Sequence, residues 1–330
     1  MRRSHSPSRR VLLTTAVLAA TVAGASSVRA QSWPAKPIWI IVPYAPGGAV
    51  DIVARSLAED LGKQLAQQVL VDNRPGAGGN LATAYVARSA PDGYNLVIAG
   101  GATTVAKQLF ANLSYDPDKD LTPIAMIGAA PAVLVVAADS PIRDVAGLIA
   151  AAKAKPGELT FGHGGVGTTS EHLAAELFRA RAGVDVTTVA YKGGPAAMND
   201  VIGGRITAVF TNPVNVVPMV RSGRIRALAV ATDRRLSTLA SVPTMAEAGI
   251  SNFDVAVWWG LMGPSKLPDH VVQRLNEAVN QSVEHGTIRA RLEALNATPM
   301  SGSPEQFRAF YATEGAKWVD VARQAGLKPE

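Results

Sequence analysis

Residues 159–176 read LTFGHGGVGTTSEHLAAE: a short apolar run, a turn in which Gly162, Gly164 and Gly167 spell G-x-G-x-x-G, then a segment with helical spacing. A strand that turns through glycine into a helix is the repeating unit of parallel α/β sheets. The same grammar recurs at IWIIVPYAPGGAVDIVAR (38–55), VDNRPGAGGNLATAYVAR (71–88), YNLVIAGGATT (94–104) and AYKGGPAAMNDVIGG (190–204). In the 49–65 stretch the apolar residues fall at 50, 53, 54, 57, 58, 61 and 65, one face of a helix. The expected fold class is therefore α/β, with mostly parallel sheets covered by helices.

The first 30 residues stand apart. MRRSHSPSRR is a basic n-region, VLLTTAVLAATVAGA an apolar h-region, and Val28 and Ala30 fit the small-residue pattern of a cleavage site. Ser8-Arg9-Arg10-Val11-Leu12-Leu13 also resembles a twin-arginine signal, so either the Sec or the twin-arginine route serves export. The full chain has a net charge of +6, but that leader carries five arginines and no acid; without it 27 basic residues face 26 acidic ones. Whole-chain attraction to nucleic acid loses its basis. The absence of cysteine excludes disulfides, thiol nucleophiles, thiolate metal sites and a lipid anchor on Cys. The expectation is a free periplasmic protein. The remaining residues, about 300, exceed what one core comfortably fills, and the expected division is lobe 1 at 31–133, lobe 2 at 134–252, and a return to lobe 1 at 253–330. The apolar run 124–138 is the first crossing between lobes, and ANLSYDPDKDLTP (111–123) is surface loop.

The opening motif passes the first tests of a dinucleotide fingerprint, with Asp185 some 18 residues after Gly167. It lies mid-chain, in a chain bound for export, and its acid falls at the start of the next strand. No cofactor is expected. What remains is the physics of the loop: bare N–H groups and a helix N-terminus directed at an anion. Thr168-Thr169-Ser170-Glu171 is a capping box, in which Thr168 and Glu171 satisfy each other's backbone N–H groups. Hydroxyls of Thr169 and Ser170 add donors. Loops of this type at the carboxyl ends of strands in two facing lobes converge on one cleft, and a carboxylate fits them as well as a phosphate.

PIWIIVPYAPGGAVDIVARSLAEDLGKQL, VDNRPGAGGN, APDGYNLVIAG, GHGGVGTTSEHLAAELF, YKGGPAAMNDVIGGRI and RSGRIRALAVAT, in that order, resemble the solute receptors of the tripartite tricarboxylate transporters, the Bordetella uptake gene (Bug) family. The resemblance covers essentially the whole chain after the leader. It implies a periplasmic two-lobe receptor of the type II periplasmic-binding-protein fold, each lobe a mostly parallel sheet covered by helices, a small organic carboxylate as solute, and the membrane components of a transporter as partner, with no nucleic-acid partner; a monomer is expected. It also implies that the ligand carboxylate meets the loop from Tyr44 to Asp51, including Gly47 and Gly48, and the loop of Val166, Gly167, Thr168, Thr169 and Ser170. Relatives commonly carry Phe at the position of Tyr44, an acidic or small pair at Thr211-Asn212, and Trp-Tyr at Trp258-Trp259. Tyr44, Asn212 and Trp258 are thus the places where specificity differs.

Other ligand contacts expected from the loops are Ala77, Gly78, Thr103, Thr104 and Gly193, with Lys192 as a charge for a ligand carboxylate or a solvated surface residue. Asp51 is read as a cap that orders its loop from below, Arg74 as structural, and Trp258 either as a cover for the ligand or as packing near the hinge. An exported serine hydrolase using Ser170 is the alternative. It is weakened by the lack of any G-x-S-x-G elbow, and by the two-residue spacing of Ser170 and His172, which diverge by about 200° around a helix. The histidines are scattered, and no metal constellation is expected.

Overall fold

A computed structural model describes residues 33–164, 170–191 and 193–324. Two sheets account for the strands. The first runs β11-β4-β10-β3-β1-β2 and the second β7-β6-β8-β5-β9. In the first, β1 (Ile38–Val42) pairs in parallel with β2 (Val69–Asn73) and β3 (Asn95–Ala99), while β10 (Ala256–Pro264) lies antiparallel between β3 and β4 (Leu121–Pro131), with β11 (Thr298–Pro299) at the edge. In the second, β6 (Thr160–His163) pairs in parallel with β7 (Thr187–Ala190) and β8 (Ala208–Thr211), and β5 (Val133–Ala137) pairs antiparallel with β8 and β9 (Ile225–Val230). The sheets are therefore mixed. The strands on either side of each crossing supply the antiparallel members, because a chain that passes straight from one sheet into the other must run against the strands that end at the cleft.

The apolar run 124–138 is buried almost throughout, as a doubly covered strand should be, yet it is two strands in two sheets that part at Ala132. Three main-chain bonds tie the crossings together. Ala132 N–H donates to Val255 C=O (2.9 Å), Val255 N–H to Ala231 C=O (3.0 Å), and Ala231 N–H to Ala132 C=O (2.8 Å). The chain thus changes sheet with its backbone satisfied, which a buried crossing requires.

Helices α1 (Ala49–Leu65), α2 (Asn80–Ala87), α3 (Gly101–Leu109), α4 (Val145–Ala154), α5 (Ser170–Ala182), α6 (Gly194–Ile202) and α7 (Pro213–Arg221) follow their strands, and α8 (Asp269–His285), α9 (Thr287–Ala294) and α10 (Pro304–Gln324) end the described chain. The last turns of α10, within the 253–330 return to lobe 1, also place Trp318, Val321 and Ala322, with Val105 and Leu109 of α3, in one apolar cluster with Phe161, Phe178 and Phe210 of the second lobe. The 111–123 segment is loop as far as Asp120, but it is anchored rather than wholly on the surface. Tyr115 is buried and its hydroxyl donates to Asn80 Oδ1 at 2.7 Å. Among the described residues no helix is long and apolar enough to cross a membrane.

The buried carboxylate of Asp60 on α1 anchors the closing helices, accepting from Thr287 Oγ1 at 2.7 Å and from the Ile288 N–H at 2.9 Å, at the start of α9. It serves as a cap supplied from another helix. Asp60→Ala should cost about 1–2 kcal/mol by urea unfolding; an unchanged midpoint would show that α9 does not depend on this cap.

Candidate ligand-binding cleft

Where the strands of the two lobes end, five helices begin around one cavity of about 250 Å³. Its wall is made by Gly48, Ala49 and Val50 at the start of α1, Gly100, Gly101 and Ala102 at α3, Ser170 and Glu171 at α5, Gly193, Gly194 and Pro195 at α6, and Asn212 and Asn215 at α7. Gly48, Gly100, Gly193 and Asn212, the residues that precede α1, α3, α6 and α7, make no side-chain cap bond. Helix α4 is different: its Asp144 accepts from the Gly147 N–H at 2.7 Å, and neither residue lines the cavity. Among the described residues the first turns of α1, α3, α6 and α7 thus have no capping side chain, although Pro195 and Pro213 remove one N–H each from α6 and α7, and these helix starts turn positive dipole ends towards the cavity. Among the described residues no Lys, Arg or His lines it.

Glycine is needed here for a close approach between the lobes. A Cβ on Gly101, in the first lobe, would stand 2.8 Å from the Ser170 hydroxyl oxygen in the second. At Gly47 the need is conformational, since φ is +86°. That geometry sends its N–H to Asp51 Oδ2 at 3.0 Å. The other partners of Asp51 are Arg55, whose guanidinium donates to both oxygens (2.9 and 3.0 Å), and Asn73, whose Nδ2 donates to Asp51 Oδ1 and also to the Tyr44 carbonyl, both at 3.0 Å. Burial alone would raise the Asp51 pKa, but Arg55, the Gly47 N–H and Asn73 outweigh it and hold the group below its ordinary value. Asp51 therefore orders the loop of Tyr44 from beneath while carrying its own counter-ion.

Glu171 is the opposite case. It is buried, lines the cavity, and accepts only from the Gly164 N–H (Oε2, 3.1 Å) and the Thr211 hydroxyl (Oε1, 3.3 Å) among the described residues. Desolvation pushes its pKa up to about 7, with those two bonds pulling the other way. Tyr44 lines the same cavity; burial raises its phenol, and the Glu171 charge adds to this. The sequence pairs Glu171 with Thr168 in a capping box, and Thr168 lies outside the described residues.

Of the residues expected to meet ligand, Tyr44, Gly48, Ser170, Gly193, Asn212 and Trp258 line the cavity. Trp258 is fully buried edge-on against Phe307, Phe310 and Tyr311, with its Nε1 unpartnered among the described residues, so it both packs near the hinge and presents a donor. Gly47, exposed between the wall residues Pro46 and Gly48, does not line the cavity, and neither do Ala77 and Gly78 in the turn Ala77–Gly79 after β2. Thr103 and Thr104 also miss the wall. They lie inside the first turn of α3, where the Thr104 hydroxyl donates to the Gly101 carbonyl (2.6 Å) and the Thr103 carbonyl accepts from Tyr311 (3.1 Å). Gly100 and Gly101 take their place. Val166, Gly167, Thr168, Thr169 and Lys192 lie outside the described residues. Trp259, Asn215 and Glu171 were not anticipated as wall residues; the glycine pair at 100–101 was a readable signal, whereas nothing local marked Glu171. The His172 ring rests on His163 (centroids 4.3 Å apart) with Nε2 3.5 Å from Glu176. Among the described residues no group of three His, Asp or Glu is placed to hold a metal.

The comparisons with known proteins agree on one group. A family model described as the tripartite tricarboxylate transporter family receptor matches residues 53–327. The protein BugT of Bordetella pertussis is 36% identical over 321 residues, 97% of this chain and 98% of BugT. Among solved structures, Rpa4515 of R. palustris with adipate gives a TM-score of 0.86 at 34% identity, covering 90% of this chain and all of that one. MatC from Rhodopseudomonas palustris with bound malate gives 0.83 at 32% identity, covering 88% and 99%.

The raised Glu171 pKa makes a signed prediction. The native state holds this proton more tightly than the unfolded chain, whose ordinary value is 4.5, so this group's contribution is lost as pH rises from about 4.5 to about 7. The loss is at most about 3 kcal/mol. Glu171→Gln should therefore gain stability relative to wild type between pH 5 and pH 8 in parallel urea melts. Parallel curves would mean that Glu171 ionises normally.

Proposed function

Because the chain belongs to the tripartite tricarboxylate transporter family of receptors, whose members bind solutes and are not an enzyme family, we propose that it is a periplasmic receptor for a small organic carboxylate. The solute is held between the lobes for delivery to the membrane components of a tripartite tricarboxylate-type transporter. The observation that carries this reading is the cavity itself, where five helix starts meet with no cationic side chain among the described wall residues. Each charge–dipole contact is worth about 0.3–1 kcal/mol at a surface and up to about 2 when partly buried, so several together with main-chain hydrogen bonds hold an anion at useful affinity. Neutral donors also suit a receptor that must release its solute, since a desolvated ion pair is costly to break. The adipate and malate of the related structures are carboxylates of a size that such a cavity admits. The leader-like N-terminus supports the periplasmic assignment.

In this reading the solute closes the cleft by bridging Ala49 and Gly101 on one lobe and Ser170 and Gly194 on the other. The prediction is that unfolded, dialysed and refolded protein, freed of any copurified solute, shows a raised melting temperature with at least one mono-, di- or tricarboxylate of four to eight carbons and a Kd on the order of micromolar or tighter. A flat response across all of them would reject the receptor. Gly101→Val, whose side chain would enter the space beside Ser170, should weaken the same solute at least about tenfold by calorimetry; unchanged affinity would mean that the lobes do not meet at Gly101 when solute binds.

A further inference from the structure

The two acids in the cavity wall are not equivalent. Asp51 is saturated by Arg55, Gly47 and Asn73. Glu171, only 7% exposed, has one hydrogen bond to each oxygen and no cation among the described residues. A carboxylate offers about four acceptor positions, so two remain for the cavity. The wall around it leaves this side chain its space: a Cβ on Gly164 would stand 2.9 Å from Oε2 and one on Gly194 3.3 Å from Oε1. A second acceptor lines the same cavity. Asn212, at the start of α7 and also 7% exposed, has its Oδ1 buried without a partner among the described residues. Glu171 and Asn212 both belong to the second lobe, one at each end of the β8–α5 contact through Thr211. Across from them the first lobe contributes the starts of α1 and α3 and the unpartnered Nε1 of Trp258, all donors.

Resting on the reading of the cleft as a carboxylate receptor, we infer that the cavity is polarised: its first-lobe side takes the solute's carboxylate, and Glu171 with the Asn212 carbonyl forms an acceptor subsite for a hydrogen-bond donor on the same solute. The preferred solute is then a carboxylate that also carries an ammonium, carboxamide or hydroxyl group, and a bare dicarboxylate is disfavoured because its second carboxylate would face Glu171. Glu171 is a specificity residue in this account, touching the solute directly.

The test is calorimetry on the refolded, solute-free full chain with matched acids: butyrate, succinate, malate, succinamate and aspartate, and the six-carbon counterparts of each. Wild type should bind at least one donor-bearing acid about tenfold or more tighter than the butyrate and succinate analogues of equal length. Glu171→Leu should collapse that preference, and Glu171→Gln, which keeps one acceptor oxygen and the side-chain shape, should erase it for ammonium while leaving part of it for carboxamide or hydroxyl. If the leucine variant does not fold, the glutamine variant and Asn212→Leu carry the test, the latter lowering the preference without abolishing it. Equal binding of bare and donor-bearing acids to wild type overturns the inference and leaves the receptor standing. A uniform loss across all acids in the Glu171 variants also overturns it, since that is the signature of a strut. No binding to wild type by any acid rejects the receptor and this inference together.

Discussion

The constraint on which the structure turns, in the proposed reading, is the burial of an anion in a cavity whose described wall carries no lysine, arginine or histidine. Water must be replaced by something, and the starts of α1, α3, α5, α6 and α7 offer main-chain N–H groups in its place. That single requirement explains why glycines sit at strand ends on both lobes and why the residues preceding α1, α3, α6 and α7 form no side-chain cap bonds. It also explains why two lobes are needed: helix starts on one sheet edge make a shallow cradle, whereas two edges facing each other enclose the charge and exclude solvent. The paired crossings at Ala132 and Val255, bonded to each other and to Ala231, hold those edges opposite one another.

The acids show how such a site keeps its electrostatics in order. Asp51 sits in the first turn of α1, where a carboxylate suits the dipole but would repel a bound anion; Arg55 and Asn73 remove that conflict and use the carboxylate to shape the loop that carries Tyr44. Glu171 receives no such treatment, and its proton affinity rises accordingly. One acid belongs to the scaffold, the other faces the cavity. The C-terminal helix α10 adds a mechanical element, since Trp318 and Val321 pack into the second lobe's core and couple its position to that of the first.

Much of this was legible in the sequence, because strand, glycine and helix periodicities are local. The α/β class, the helix face of 49–65 and the wall positions Tyr44, Gly48, Ser170, Gly193, Asn212 and Trp258 followed from patterns a few residues long or from the family resemblance that those patterns carry. What escaped was long-range. The partners of Glu171 lie seven and forty residues away, at Gly164 and Thr211, so its capping-box spacing concealed a cavity position. Thr103 and Thr104 follow a strand end as the other loop residues do, but the first turn of helix carries them past the wall and leaves Gly100 and Gly101 there. The apolar run 124–138 gave no sign of its break at Ala132, since both sheets demand the same buried composition. The bridging role of α10 depends on which apolar residues meet across lobes, and periodicity within one helix does not carry that.

The most direct measurement of the central claim is a crystal structure of the chain with the tightest-binding carboxylate found by calorimetry. The account predicts carboxylate oxygens at about 3 Å from main-chain N–H groups of the cleft helices. A carboxylate held by side chains with no main-chain N–H in contact, or one bound outside the space between the lobes, would contradict it.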